Sequence, residues 1–195
     1  MYGKREILQT LFNSRKCVLT LSETHITTND STLFKLQGFH FINKNRQAGE
    51  GGGIAIYISD DIAWKRREVL EQDGIECLWI EIDILNGNNL LVGCMYRPPD
   101  SSAYLYKDFN SALDKMVTTV NKNCLETLLL GDINVNYLQI TSHKDLKNIF
   151  SSHGLKQLVK QPTRVTKDTK SLIDVILTNS SCHVQHTTSY TSDYE

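Results

Sequence analysis

Asp132 and Asn134 stand two apart in Gly131-Asp132-Ile133-Asn134, directly after the apolar run Leu128-Leu129-Leu130. A carboxylate can hold a hard cation or take a proton. A carboxamide can hydrogen-bond a phosphoryl oxygen without adding repulsive charge. At the end of a buried strand, alternate residues share a face, so both groups address one place while Ile133 stays in the core. The competing reading is a strand that closes in an Asx turn, the commoner fate of an isolated pattern of this kind. The four residues alone leave the two readings even. A second apolar run, residues 17–21, reads as a short buried strand and leads into Ser22-Glu23-Thr24-His25, where Glu23 and His25 share a face. Glu23 there is a metal-ligand candidate or merely a helix cap. A third run ends in Tyr96-Arg97-Pro98-Pro99, and the prolines end the strand and leave a phenol and a guanidinium where they could reach a phosphate.

Other polar stretches read more simply. Gly51-Gly52-Gly53 lacks the Gly-Lys-Ser/Thr of a phosphate loop and precedes the apolar run 54–58, so it reads as a flexible turn entering a strand. Lys65-Arg66-Arg67 beside Trp64 is a small basic patch, more simply read as solvated surface than as a phosphate contact.

The elements that must position these residues follow from periodicity. Ile7, Leu8, Leu11 and Phe12 predict a helix over about 5–15. Runs 77–82 and 90–95 flank Asn86-Gly87-Asn88-Asn89 and predict a hairpin. Phe109, Leu113, Met116, Val117 and Val120 predict a helix over about 104–120, with the fully buried central strand of Leu128 after it. A third helix is predicted over 144–152 with His153-Gly154 as its cap, and Val175-Ile176-Leu177 is a further strand.

At 195 residues, 40% hydrophobic and 22% charged, the chain fits one folded domain spanning 1–195 and not a disordered segment. A formal net charge of −1 excludes a globally basic nucleic-acid binder, so any such contact must use local patches or a metal. Five scattered cysteines read as reduced thiols. Neither a leader nor a membrane-spanning stretch is visible, which predicts an intracellular protein without a membrane partner.

Seven pieces then line up in order: Ser22-Glu23-Thr24, Gly51-Gly52-Gly53-Ile54-Ala55-Ile56-Tyr57, Tyr96-Arg97-Pro98-Pro99, Gly131-Asp132-Ile133-Asn134, Pro162-Thr163-Arg164, Ser171-Leu172-Ile173-Asp174 and Ser192-Asp193. In this order they resemble the endonuclease/exonuclease/phosphatase superfamily, and most closely the apurinic-like endonuclease domain of non-LTR retrotransposon polyproteins. The resemblance implies an α/β, four-layered sandwich of two mainly antiparallel sheets flanked by helices, with the site at one end of the sheets. It also implies Mg²⁺, with Mn²⁺ as an alternative, DNA as partner and a nuclear location. By the same match Glu23 is the metal ligand together with Asp193. Asp132 orients or deprotonates water, Asn134 and Tyr96 hold the phosphate, and Thr163 supports the site. Asp174 and Asp193 complete the acidic cluster, with Arg97 and Ser192 beside it.

Two departures from the pattern shape the functional expectation. Relative to the family, the chain begins after the first, asparagine-bearing strand and stops before the last, so the domain is expected to be incomplete at both termini. Tyr194 stands where the family has histidine after Ser192-Asp193. A phenol with a pKa of about 10 can donate a hydrogen bond but cannot replace an imidazole as base. The leading expectation is a Mg²⁺-dependent endonuclease that nicks DNA. The alternatives are a catalytically silent remnant that at most binds nucleic acid or metal, and a phosphoesterase acting on lipid or small-molecule substrates.

Overall fold

The structure is a computed structural model, and it describes residues 2–12, 16–26, 31–46, 51–84 and 88–180. In chain order these form α1 (Tyr2–Phe12), β1 (Val18–Ser22), β2 (Phe39–Lys44), β3 (Ile54–Ser59), β4 (Trp64–Arg66), β5 (Glu76–Ile84), β6 (Asn88–Tyr96), α2 (Phe109–Asn121), β7 (Glu126–Asp132), α3 (Lys144–Ser152), β8 (Lys156–Gln157), β9 (Arg164–Val165), β10 (Lys170–Ser171) and β11 (Asp174–Thr178).

Three strands make a small antiparallel sheet in the order β1-β3-β2, and six make a larger one in the order β4-β5-β6-β7-β11-β8. Only the β6–β7 pair of the larger sheet is parallel, because α2 crosses over between them. A short β9–β10 ribbon stands apart. The expected mixed α/β sandwich is what forms.

Strand alternation builds two cores. On β5 and β6, Leu78, Ile80, Val92 and Cys94 face Ile54, Ile56 and Ile58 of the small sheet. The opposite face, with Cys77, Trp79, Leu91 and Met95, meets Phe109, Leu113, Met116, Val117 and Val120 of α2 and Leu146, Ile149 and Phe150 of α3. Gly93 pairs directly with Trp79. A Cβ there would lie 2.7 Å from the indole, so the missing side chain is what lets Trp79 lie flat. β3, rich in β-branched residues, is buried along its whole length as the middle of its sheet. The Tyr57 hydroxyl donates to the Phe34 carbonyl at 2.6 Å on the far side of that sheet.

Several sequence expectations need correction. α1 is described from Tyr2 to Phe12, with residues 13–15 of the expected span outside the described residues, and two of the residues expected to face inward, Ile7 and Leu11, are 45% and 55% exposed. The helix is fastened through Gln9, which donates to the Gln37 carbonyl and accepts from its amide. β1 is an edge strand, half-buried throughout, because it pairs only with β3 among the described residues. α2 begins at Phe109, not Tyr104; Tyr104 and Tyr106 lie two apart on preceding turns and do not continue its apolar stripe. β7 is central, but Leu128 and Leu130 are only half-buried, since the three-stranded sheet covers part of a six-stranded one. The predicted hairpin and α3 form as expected, with Gly154 at φ 68° after the last turn. Asn86 and Gly87 lie outside the described residues. No described helix is long and apolar enough to cross a membrane.

Candidate active site

Sheet register assembles the site. Tyr96 closes β6, Asp132 closes β7 and Asp174 opens β11, and in the ladder Asp132 is the direct partner of both Tyr96 and Asp174. Directly paired residues on neighbouring strands project from the same face, so three residues remote in sequence stand abreast at one sheet edge. Gly131 permits it. A Cβ at this position, with φ at 150°, would lie 1.7 Å from the Met95 carbonyl oxygen.

Asn134 reaches the same place by another route. β7 has already ended, and Asn134 sits in the left-handed region at φ 47°. Its amide donates to Asp132 Oδ1 at 2.7 Å, and its side-chain amide donates to the Arg97 carbonyl at 2.9 Å. The Asx turn is thus formed, and it does not remove Asp132 from the row with Tyr96 and Asp174. Strand alternation does not place Asn134; the turn does. The bond to the Arg97 carbonyl uses one of the two N–H donors of the carboxamide.

Glu23 arrives from the small sheet. The Tyr96 hydroxyl donates to Glu23 Oε1 at 2.5 Å. Glu23 and His25 hold left-handed backbones at φ 52° and 53°, which cost energy for residues other than glycine. The conformation is imposed by Thr24 N and His25 N, which donate to the carbonyls of Gly53 (3.1 Å) and Gly52 (2.9 Å). Far from a loose turn, Gly52 and Gly53 are buried. A Cβ on Gly52 would strike the Arg46 guanidinium at 2.3 Å, and one on Gly53 would meet Thr24 Oγ1 at 2.8 Å. His25 lies beside Gly51, on the Arg46 side.

Thr163, expected to support the site, stands just before β9 and is bonded to the segment that opens β11. Its hydroxyl accepts from the amides of Ile173 (3.2 Å) and Asp174 (3.1 Å), fixing the start of β11. Asn136 was assigned no role in the sequence, yet Oδ1 accepts from Leu138 N and Leu172 N and clasps the turn after β7 to the segment before β11. The repeat of asparagine two positions after Asn134 was its only signal. Arg46 and Glu76 gave none, being 30 residues apart. Glu76 takes two bonds from the Arg46 guanidinium (2.8 and 2.6 Å) and one from Gly53 N (2.6 Å), bracing the segment that carries Glu23.

Arg97 does not join the site. Neighbours on a strand point to opposite faces, so with Tyr96 directed at Glu23 the guanidinium turns inward. It is 6% exposed, bonded to Asp100 at 2.5 Å and to the Pro98 and Ile133 carbonyls, and lies 5.4 Å over the Phe109 ring. The basic patch is likewise engaged: Lys65 and Arg67 pair with Glu81, and Arg66 with Glu71. Ser192, Asp193 and Tyr194 lie outside the described residues.

The electrostatics are those of crowded acids. Burial, and then the charges of Asp174 and Glu23, push the Asp132 carboxyl up to about 6, against the opposing pull of the Asn134 amide and Arg164. Burial and the Glu23 carboxylate drive the Tyr96 phenol well above its ordinary value, so it stays protonated. Among the described residues no three of His, Cys, Asp and Glu gather tightly enough to form a ligand set by themselves. A Mg²⁺-type ion needs only one or two carboxylates and keeps several waters. Repelling carboxylates around an open edge, with Glu23 exposed, fit that requirement.

A family model described as endonuclease-reverse transcriptase matches residues 90–195. No curated protein sequence matches the chain. Among solved structures, the endonuclease domain of TRAS1, a telomere-specific non-LTR retrotransposon, superposes with a TM-score of 0.65 at 14% identity, covering 90% of this chain and 77% of that one. The human Nocturnin catalytic domain gives 0.61 at 13% identity, covering 92% and 76%. The 3'-5' exonuclease NExo from Neisseria meningitidis gives 0.59 at 14%, covering 90% and 81%. At these identities the likeness is one of fold. Since the family model spans more than half of the chain, and the sandwich places Tyr96, Asp132 and Asp174 abreast at a shared edge, the protein belongs to the endonuclease-reverse transcriptase family of the endonuclease/exonuclease/phosphatase superfamily.

Proposed function

We propose that this chain is a Mg²⁺-dependent, DNA-nicking endonuclease domain of a retrotransposon, working in the nucleus. The observation that carries the reading is the in-register row Tyr96, Asp132 and Asp174 with Glu23 on the Tyr96 hydroxyl. Glu23, with Asp193, would hold the cation, and Mn²⁺ would serve in its place. When bound, the ion offsets charge building on the phosphoryl oxygens. Asp132, with a carboxyl near 6, is ionised at neutral pH yet basic enough to take a proton from an attacking water, as a general base should be. Tyr96, kept protonated, would turn its single O–H from Glu23 to the phosphate once Glu23 holds the cation, and the second amide donor of Asn134 would join it as the charge grows. Asp174, fixed by Thr163, keeps Asp132 from ionising too easily, which preserves its basicity.

The test is nicking of supercoiled plasmid with Mg²⁺ by the native chain, Asp132→Ala and Tyr194→His. Nicking by the native chain, abolished in Asp132→Ala, is the expected result. A silent native chain with an active Tyr194→His variant would place the defect at that residue. Silence from both favours the remnant that binds without cutting. Faster turnover of a soluble phosphoester than of plasmid would move the substrate to the small-molecule class.

A further inference from the structure

We propose that the groove beside Tyr96 is a nucleobase-stacking subsite for the nucleotide next to the scissile phosphate, with Tyr104 and Tyr106 as its stacking surfaces; this deepens the DNA-hydrolysis reading and rests on it. The groove, about 470 Å³, is walled by Arg46, Gly74, Glu76, Tyr96, Tyr104 and Tyr106. It shares Tyr96 with the acidic row, so a base seated in it brings its own phosphate to Asp132.

The two outer tyrosines are presented rather than packed away. Tyr104 is 47% exposed and Tyr106 45%. Each ring is nevertheless backed by protein on one side. The Arg46 guanidinium lies 4.8 Å from the Tyr104 ring centre, and 5.8 Å from that of Tyr96. The Tyr106 ring rests on Gly74, where a Cβ would come within 2.5 Å of it. Consecutive turns, Ser102 N to the Pro99 carbonyl, Leu105 N to the Ser102 carbonyl and Phe109 N to the Tyr106 carbonyl, hold the segment that carries them. Fixed rings with open area form a platform that any base can stack on.

The charges say that a ring and not a phosphate is the occupant. Arg46 is engaged by Glu76, and Lys44 by Glu71 at 3.3 Å. Lys107 and Asp73 also line the groove and bring one charge of each sign, so with Arg46 and Lys44 matched by carboxylates the lining carries no net positive charge to hold a phosphate, and what it offers is flat aromatic area.

The experiment measures binding without cleavage. A single-stranded oligonucleotide carrying 2-aminopurine is titrated into the native chain, Tyr104→Leu/Tyr106→Leu and Tyr104→Phe/Tyr106→Phe, all in excess chelator. An abasic oligonucleotide of the same length is the control, and thermal melts check that the variants fold. The native and phenylalanine forms are expected to quench the fluorescence and bind alike. The leucine form is expected to bind about tenfold more weakly, and the abasic strand to bind weakly and equally to all three. Absence of quenching by the native chain, native-like binding by the leucine form, or tight binding of the abasic strand would each overturn the subsite. Plasmid nicking separates the two ideas. Undiminished nicking by the leucine form, with none by Asp132→Ala, removes the subsite and leaves hydrolysis standing. Base binding without nicking removes hydrolysis and leaves the subsite.

Discussion

The two halves of the site are positioned by different physics. Tyr96, Asp132 and Asp174 come from three hydrogen-bonded strands of the larger sheet, and ladder register alone fixes their order. Glu23 comes from beyond the small sheet on a left-handed backbone, held by the carbonyls of Gly52 and Gly53 and braced through Arg46 and Glu76. A register cannot shift by less than a whole residue, so the strand half is stiff. The Glu23 half is a strained turn, and small local changes can move it.

Gly131→Ala should show the largest effect. With its Cβ 1.7 Å from the Met95 carbonyl, β6 and β7 cannot keep their pairing, and a loss of about 3 kcal/mol or more in urea unfolding is expected. A near-native midpoint would show that the register is not what holds this half. Asp132→Asn should lower the nicking rate by about 10³-fold, in the range of a lost general base, while the fold stands.

The native pH profile sharpens the same point. Because the Asp132 carboxyl is raised to about 6, the native rate should fall about tenfold per unit below pH 6 as the base is protonated. Its effect on stability has the opposite sign. The folded state binds this proton more tightly than the unfolded chain, so native stability should decline as pH rises from about 4 to 6 and then level off. Asp132→Asn should lack that decline and be more stable at pH 7 by about 1–2 kcal/mol, a figure reduced for partial exposure. A thermal melt series with identical slopes for both forms would contradict this.

Gly53→Ala tests the strained half. With φ at 82° and its Cβ 2.8 Å from Thr24 Oγ1, it should cost about 1–2 kcal/mol and raise the Mg²⁺ concentration needed for half-maximal nicking, by displacing Glu23. Lost stability with an unchanged Mg²⁺ response would separate the glycines from Glu23. The smallest effect belongs to Lys65→Ala on the paired basic patch, under about 0.5 kcal/mol and without change in nicking.

Much of this was legible in order along the chain. Apolar runs gave β1, β3, β5, β6, β7 and β11, the apolar stripe gave the buried face of α2, and the polar residues closing β1, β6 and β7 marked Glu23, Tyr96, Asp132 and Asn134, while Thr163 and Asp174 came only with the ordered resemblance. These signals are local, and local sequence carries them because strand period and turn chemistry act over a few residues. Direction and partnership are not local. That Arg97 turns into the core while Tyr96 meets Glu23, that Arg46 and Glu76 brace a turn neither adjoins, and that Tyr104 and Tyr106 leave the predicted helix to line a groove were decided by packing between elements. The sequence by itself determined which residues can do chemistry here. Only the tertiary structure decided which of them meet, because a side chain's face and neighbours are set by the register and crossing of strands far apart in the chain.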